Sequence, residues 1–214
     1  MPNKNKTEKV IILDRSGSMI ACKADMEGGL NTYIESQRSA PGEVTVTYIT
    51  FDTVVDTVLE NVPISMVGKL KLVPRGGTAL LDAIGQTLNK VGNRLSKTPE
   101  NDRPGLVDVI VITDGGENSS REFNNDQIKQ MITTQENEFN WKFTYLGANQ
   151  DAFGIGGSLG FNVKSTSNYN TSKSDQLWKN VNSRSMRMHE DMTKFGLVQA
   201  CSDSYTKEEV ESMV

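Results

Sequence analysis

The 214 residues contain one histidine and two cysteines. Zinc or copper sites built from imidazole and thiolate therefore lack their usual ligands. Cys22 and Cys201 share no metal-ligand spacing and read as free thiols of a reducing, cytoplasmic compartment. Basic charge is not in excess either: 23 Lys and Arg stand against 27 Asp and Glu, for a net charge of −4. A domain that grips nucleic acid ordinarily shows the opposite balance. No apolar run approaches the ~20 residues of a membrane span. After Lys9 only Val10 to Leu13 is apolar before Asp14, which is too little for the core of a signal peptide. What remains is 36% hydrophobic and 23% charged, the mixture of an ordinary folded domain. Its length suits one core, or one core with a C-terminal appendage.

The hydrophobic pattern switches repeatedly between short runs and helical spacing, as in an α/β fold. Lys9-Val-Ile-Ile-Leu13 is a buried strand, and Met26, Leu30, Tyr33 and Ile34 mark a helix that Pro41-Gly42 stops. Residues 44–51 and 54–59 are two strands with no room for a crossover helix between them. They form an antiparallel hairpin and put the third strand at a sheet edge. Leu80, Ile84, Leu88, Val91 and Leu95 are the clearest amphipathic helix, with Thr78 offered as its N-cap. Residues 96–105 read as a loop. Leu106 to Thr113 is almost wholly apolar or β-branched, as in a central strand covered on both faces. A helical stripe at Ile128, Met131 and Ile132, a strand over 141–146, a glycine-broken helix over 148–159 and a small sixth strand at 161–163 follow. Residues 164–172 form a Ser/Thr/Asn-rich link. Leu177, Trp178, Val181 and Met188 suggest a further helix, and Thr206-Lys-Glu-Glu209 has capping-box spacing.

Three polar motifs fall just after strands or at a helix start, where α/β sheets place ligands. They are Asp14-Arg-Ser-Gly-Ser18, Gly76-Gly-Thr78 and Asp114-Gly115. Asp14, Ser16, Ser18, Thr78 and Asp114 are all hard oxygen donors, the kind Mg²⁺ takes. Each motif alone is an ordinary turn or cap. Together, in this order at one sheet edge, they point to a metal site.

These motifs, in the settings Val-Ile-Ile-Leu-Asp14-Arg-Ser-Gly-Ser-Met19, Gly-Gly-Thr78-Ala-Leu-Leu and Val-Ile-Thr-Asp114-Gly, resemble the von Willebrand factor type A domain and its metal-ion-dependent adhesion site. The resemblance covers about residues 7–165, leaving 1–6 as a lead and 166–214 as a C-terminal helical extension. It implies a Rossmann-like, doubly wound, mostly parallel sheet of order 3-2-1-4-5-6, with strand 3 antiparallel and helices on both faces. It also implies that Ser16, Ser18 and Thr78 coordinate Mg²⁺ directly, with Asp14 and Asp114 acting largely through water and Mn²⁺ or Ca²⁺ as substitutes. The ion would then bind a partner's Asp or Glu rather than catalyse. Arg15, Gly77, Gly115 and Glu117 would line the contact. Intracellular bacterial and phage members look most similar, partly through the stretch 145–151. Partners of such members include AAA-type ATPase complexes and phage or host proteins, in the cytoplasm (the host's, for a viral protein). No nucleic acid or membrane is implied.

Two other classes compete. Haloacid-dehalogenase phosphatases also begin with Asp after strand one, but place a second Asp where this chain has Ser16. Serine-hydrolase chemistry needs a base, and His189, read as exposed helix surface, is the sole histidine. A nucleotide site at Gly154-Ile-Gly-Gly-Ser-Leu-Gly160 has neither the position nor the spacing of the dinucleotide fingerprint. A structural assembly protein with an incidental ion is a further alternative. Met186, Met188 and Met192 read as adaptable packing, with a docking face as the alternative.

Overall fold

The computed structural model describes residues 1–149, 151–199 and 201–214; Gln150, within the stretch 145–151, lies outside the described residues. Six strands form one sheet: β1 (Asn3–Asp14), β2 (Glu43–Phe51), β3 (Val55–Pro63), β4 (Pro104–Thr113), β5 (Lys142–Gly147) and β6 (Thr166–Asn168). Their order is β3-β2-β1-β4-β5-β6. Only β3 runs antiparallel to its neighbour. The pairing of β2 with β3 is irregular at two places around Tyr48, and Asn61 has a φ of 49°. The helices are α1 (Lys23–Gln37), α2 (Leu80–Lys97), α3 (Asn125–Phe139), α4 (Ala152–Ser158), α5 (Ser174–Phe195) and α6 (Lys207–Met213).

The continuous apolar runs of β1 and β4 are explained by two covered faces. Successive side chains of a strand point to opposite sides. Ile11, Leu13, Ile110 and Ile112 therefore meet α1 and α5, while Val10, Ile12, Val109 and Val111 meet α2 and α3. Each such side chain stabilises the fold by about 1.5–3 kcal/mol when wholly buried.

Three expectations need correction. The sixth strand is Thr166–Asn168, not 161–163. Phe161 instead enters the core, its ring 6.1 Å from Phe143 and 5.2 Å from Tyr145. α2 begins at Leu80 with Ala79 in the cap position, so Thr78 is not its N-cap. His189 is buried, not exposed: it faces inward from α5, with Nδ1 3.4 Å from the Thr7 hydroxyl and Nε2 3.2 Å from Gln37 Oε1. Burial lowers its pKa to about 3, so it is neutral at physiological pH.

The chain beyond residue 165 shares the main core. β6 pairs with β5, and α5 lays Leu177, Trp178 and Val181 on the α1 side of the sheet. Met188 and Met192 pack with Leu106 and Val198, and Met186 is half-buried. Beneath α5 lies an ionic network embedded in the apolar runs. Asp108 of β4 pairs with Lys9 of β1 at 2.9 Å and with Arg184 of α5 at 3.0 Å. Ser185 donates to the same carboxylate and contacts the Tyr33 hydroxyl. Both cysteines are free, Cys22 buried and Cys201 exposed.

Candidate metal centre

β1 and β4 are parallel neighbours with Leu13 opposite Ile112, so the loops that follow them leave the same rim of the sheet. The buried Asp14 carboxylate is held from both sides: Oδ1 accepts from the Ser16 N–H (2.6 Å) and Oδ2 from the Thr113 hydroxyl (2.6 Å). Ser16 and Ser18 place their hydroxyl oxygens 2.9 Å apart, and Ser18 donates to Asp114 Oδ1 at 2.6 Å. The Gly17 N–H donates to the Gly76 carbonyl and the Arg75 N–H to the Arg15 carbonyl, which seats the second motif against the first. A Cβ built on Gly115 would lie 3.5 Å from Thr78 Oγ1 and 3.7 Å from Ser18 Oγ. All five residues singled out as ligands thus meet at one rim.

Thr78 is available because another segment caps α2. The free N–H groups of a helix start must find acceptors. Here the loop after β4 supplies them: Asn118 Oδ1 accepts from Thr78 N–H (2.9 Å), Glu117 from Leu81 N–H (3.0 Å) and Ser120 from Asp82 N–H (3.0 Å). The Thr78 hydroxyl itself makes no hydrogen bond among the described residues. Gly77 leaves room for this approach: a Cβ there would meet Ser119 Oγ at 2.5 Å and Asn118 Oδ1 at 2.9 Å, displacing the Asn118 side chain from the Thr78 N–H.

Arg15 and Glu117, expected to line a partner contact, also hold their loops together. Arg15 is buried and spends its guanidinium on Asp52, Thr50 and Asp56. Glu117 accepts from three backbone N–H groups and the Ser120 hydroxyl. Each thus organises a loop. Gly115 lies half-buried beside Ser18 and Thr78.

No protein-family model and no curated protein matches the sequence. Solved structures do. A von Willebrand factor type A protein from Catenulispora acidiphila is similar at a TM-score of 0.55 and 14% identity, over 85% of this chain and 43% of that one. The ArnB paralog VWA2 from Sulfolobus acidocaldarius gives 0.54 and 19%, over 83% and 44%. Proximal thread matrix protein 1 of the mussel byssus gives 0.59 and 14%, over 83% and 45%. The fold is that of the von Willebrand factor type A domain. The chain spans less than half the length of these proteins. One structure of the mussel protein has a zinc-occupied metal-ion-dependent adhesion site.

In this type A fold the strand order reverses between β1 and β4, and the hydroxyl–carboxylate cluster sits at that switch point. Among the described residues, neither Asp14 nor Asp114 pairs with a Lys or Arg. Burial pushes the Asp14 carboxyl up to about 6 against the Thr113 and Ser16 hydrogen bonds, with the Asp114 charge adding to the rise. Burial raises Asp114 as well. Among the described residues no three His, Cys, Asp or Glu cluster as a metal cage. The donor set is instead three hydroxyls with two uncompensated carboxylates, which fits a small, hard divalent cation. Thr113, Asn118 and Ser120, which hold these side chains in place, were not read from the sequence. The buried Tyr169 hydroxyl also escaped notice. It has no partner among the described residues, and its pKa is raised by burial and then by Cys22, Asp114 and Asp14.

A pH test follows. Folded Asp14 keeps its proton to about pH 6, whereas an unfolded Asp loses it near 4. Between those values the folded state binds more protons, so its stability falls as pH rises, by roughly 3 kcal/mol from this group. In EDTA the melting temperature should carry this penalty at pH 7. Millimolar Mg²⁺ should raise it strongly at pH 7 and little at pH 4.5. An equal rise at both pH values would contradict the assignment.

Proposed function

We propose that this chain is a metal-dependent protein-binding module. Ser16, Ser18 and Thr78 hold Mg²⁺, for which Mn²⁺ or Ca²⁺ substitutes, and Asp14 and Asp114 balance its charge largely through water. Bound there, the ion supplies an electrophilic position for the carboxylate of a partner's Asp or Glu. The observation that carries this reading is the pair of buried carboxylates without a basic partner, sharing one rim with three hydroxyls. The mussel protein's zinc-occupied site on the same fold supports it. Neutral hydroxyl ligands leave more of the cation's charge for the incoming carboxylate than carboxylate ligands would.

The same reading assigns no catalytic role. Thr7, beside His189, precedes Asp14 by seven strand residues, roughly 23 Å at 3.3 Å each. The buried imidazole is thus remote from Ser16 and Ser18 and has no route to act as their base. Gly154–Gly160 forms α4 and its end, capped by Asp151, rather than a turn after β1. A cytoplasmic setting, and a partner such as an AAA-type ATPase complex or a phage or host protein, complete the proposal.

Calorimetry tests it. Mg²⁺ or Mn²⁺ should bind the wild-type chain with measurable heat, and Asp14→Ala or Ser16→Ala should abolish that heat while circular dichroism stays folded. Equal binding by wild type and both variants would sink the assignment.

A further inference from the structure

We propose that the cleft beside the metal centre takes a second carboxylate of the same partner on Arg121, so that the module recognises an acidic peptide segment at two points; this rests on the metal-dependent reading above. The cleft, of about 660 Å³, opens between the β2–β3 turn, at Thr53 and Val54, and the loop 118–122. Ala79 and Asn118 line it and also adjoin Thr78, so it begins where the metal centre ends.

The arginines of this chain are otherwise spent. Arg15 and Arg75 bind Asp52 and Asp56, Arg38 binds Glu35, and Arg94 binds Glu8. Arg103 donates to backbone carbonyls, Arg184 to Asp108 and Arg187 to Glu209. Arg121 alone, among the described residues, has a guanidinium with no acceptor. The two carboxylates that line the cleft with Arg121 are already committed: Glu122 to Gln86 at 3.0 Å, and Asp82 to the N–H groups of Arg121, Glu122 and Phe123 at 2.8, 2.9 and 3.0 Å; Glu117, four residues before Arg121, accepts from N–H groups.

That last set of bonds matters most. The Asp82 carboxylate fixes the backbone on which Arg121 stands, so only the side chain remains to be ordered on binding. The unspent fork of N–H donors on a lined cleft calls for an acceptor, and carboxylate matches it with two parallel hydrogen bonds. A partner carrying one Asp or Glu at the ion and another a few residues away satisfies both positions.

The test compares two probes in Mg²⁺ by titration of the full chain: hexa-aspartate and N-acetyl-aspartate amide, which offers one side-chain carboxylate. Wild type should bind hexa-aspartate well beyond the sixfold statistical advantage. Arg121→Gln should weaken hexa-aspartate about tenfold while leaving Mg²⁺ alone and the single-carboxylate probe unchanged, and Arg121→Lys should recover part of the loss. Equal hexa-aspartate affinity in wild type and Arg121→Gln, or no advantage of hexa-aspartate in wild type, would overturn the second contact. Failure of Mg²⁺ to bind wild type would instead overturn the underlying module, so the two failures are distinguishable.

Discussion

Asp108→Ala should cost about 3–5 kcal/mol, the penalty for leaving buried charge without its counter-ion. Asp108 is the sole acid of the network under α5, and both of its partners, Lys9 and Arg184, are as buried as it is. Burial pushes its pKa upward, but the Lys9 and Arg184 charges outweigh that and hold it down to about 2. On the acid side the Asp108 carboxylate therefore contributes fully above the unfolded carboxyl's range near 4, and the contribution is lost as pH falls through about 2. A urea midpoint at pH 7 measures the cost. Replacing all three charges together, as Lys9→Met, Asp108→Leu and Arg184→Met, should recover most of it, because no ion is then left unpaired. A single Asp108→Ala variant with wild-type stability would show that water reaches the network.

Trp178→Ala should be comparably severe, at about 3–5 kcal/mol for an aromatic removed from a packed core. Trp178 lies on α1 with its ring 5.4 Å from Tyr33, over a slot that Gly29 leaves open. A Cβ at Gly29 would fall 2.1 Å from Trp178 Cδ1. Gly29→Ala should therefore disrupt docking of α5 in the wild type, yet be tolerated once Trp178 is Ala. A double-mutant cycle by urea denaturation reads this as strong non-additivity. Additive costs would mean that α1 and α5 do not meet through this pair.

The alternation of apolar runs and helical stripes made the α/β class and the edge hairpin legible, because each rests on spacing within a few residues; the three polar motifs, each placed after a strand or at a helix start, named five residues that the fold brings to one rim. What escaped depends on distant partners. Thr166–Asn168 contains no apolar residue, and only pairing with Tyr145–Gly147 makes it a strand. His189 looked exposed because its partners, Thr7 and Gln37, are over 150 positions away. The cap of α2 is supplied by Glu117, Asn118 and Ser120, so local cap statistics named Thr78 instead. Lys9 and Asp108 interrupt apolar runs, and their mutual neutralisation becomes visible only when β1 and β4 lie side by side.

The two margins of the sheet decide how a partner can approach. β3 presents an outer edge broken by its irregular pairing, the left-handed Asn61 and the terminal Pro63. β6 is three residues long, and the chain just after it is tied down by the Asn170 N–H donating to the Met213 carbonyl of α6. Neither margin offers the long, regular row of free backbone groups that an incoming strand needs. Association by sheet extension is thus closed off, as is the runaway edge-to-edge stacking that such margins invite. Under the proposed function, recognition would fall to discrete side-chain contacts at the rim, where an ion can be added or withdrawn and the contact made reversible with it.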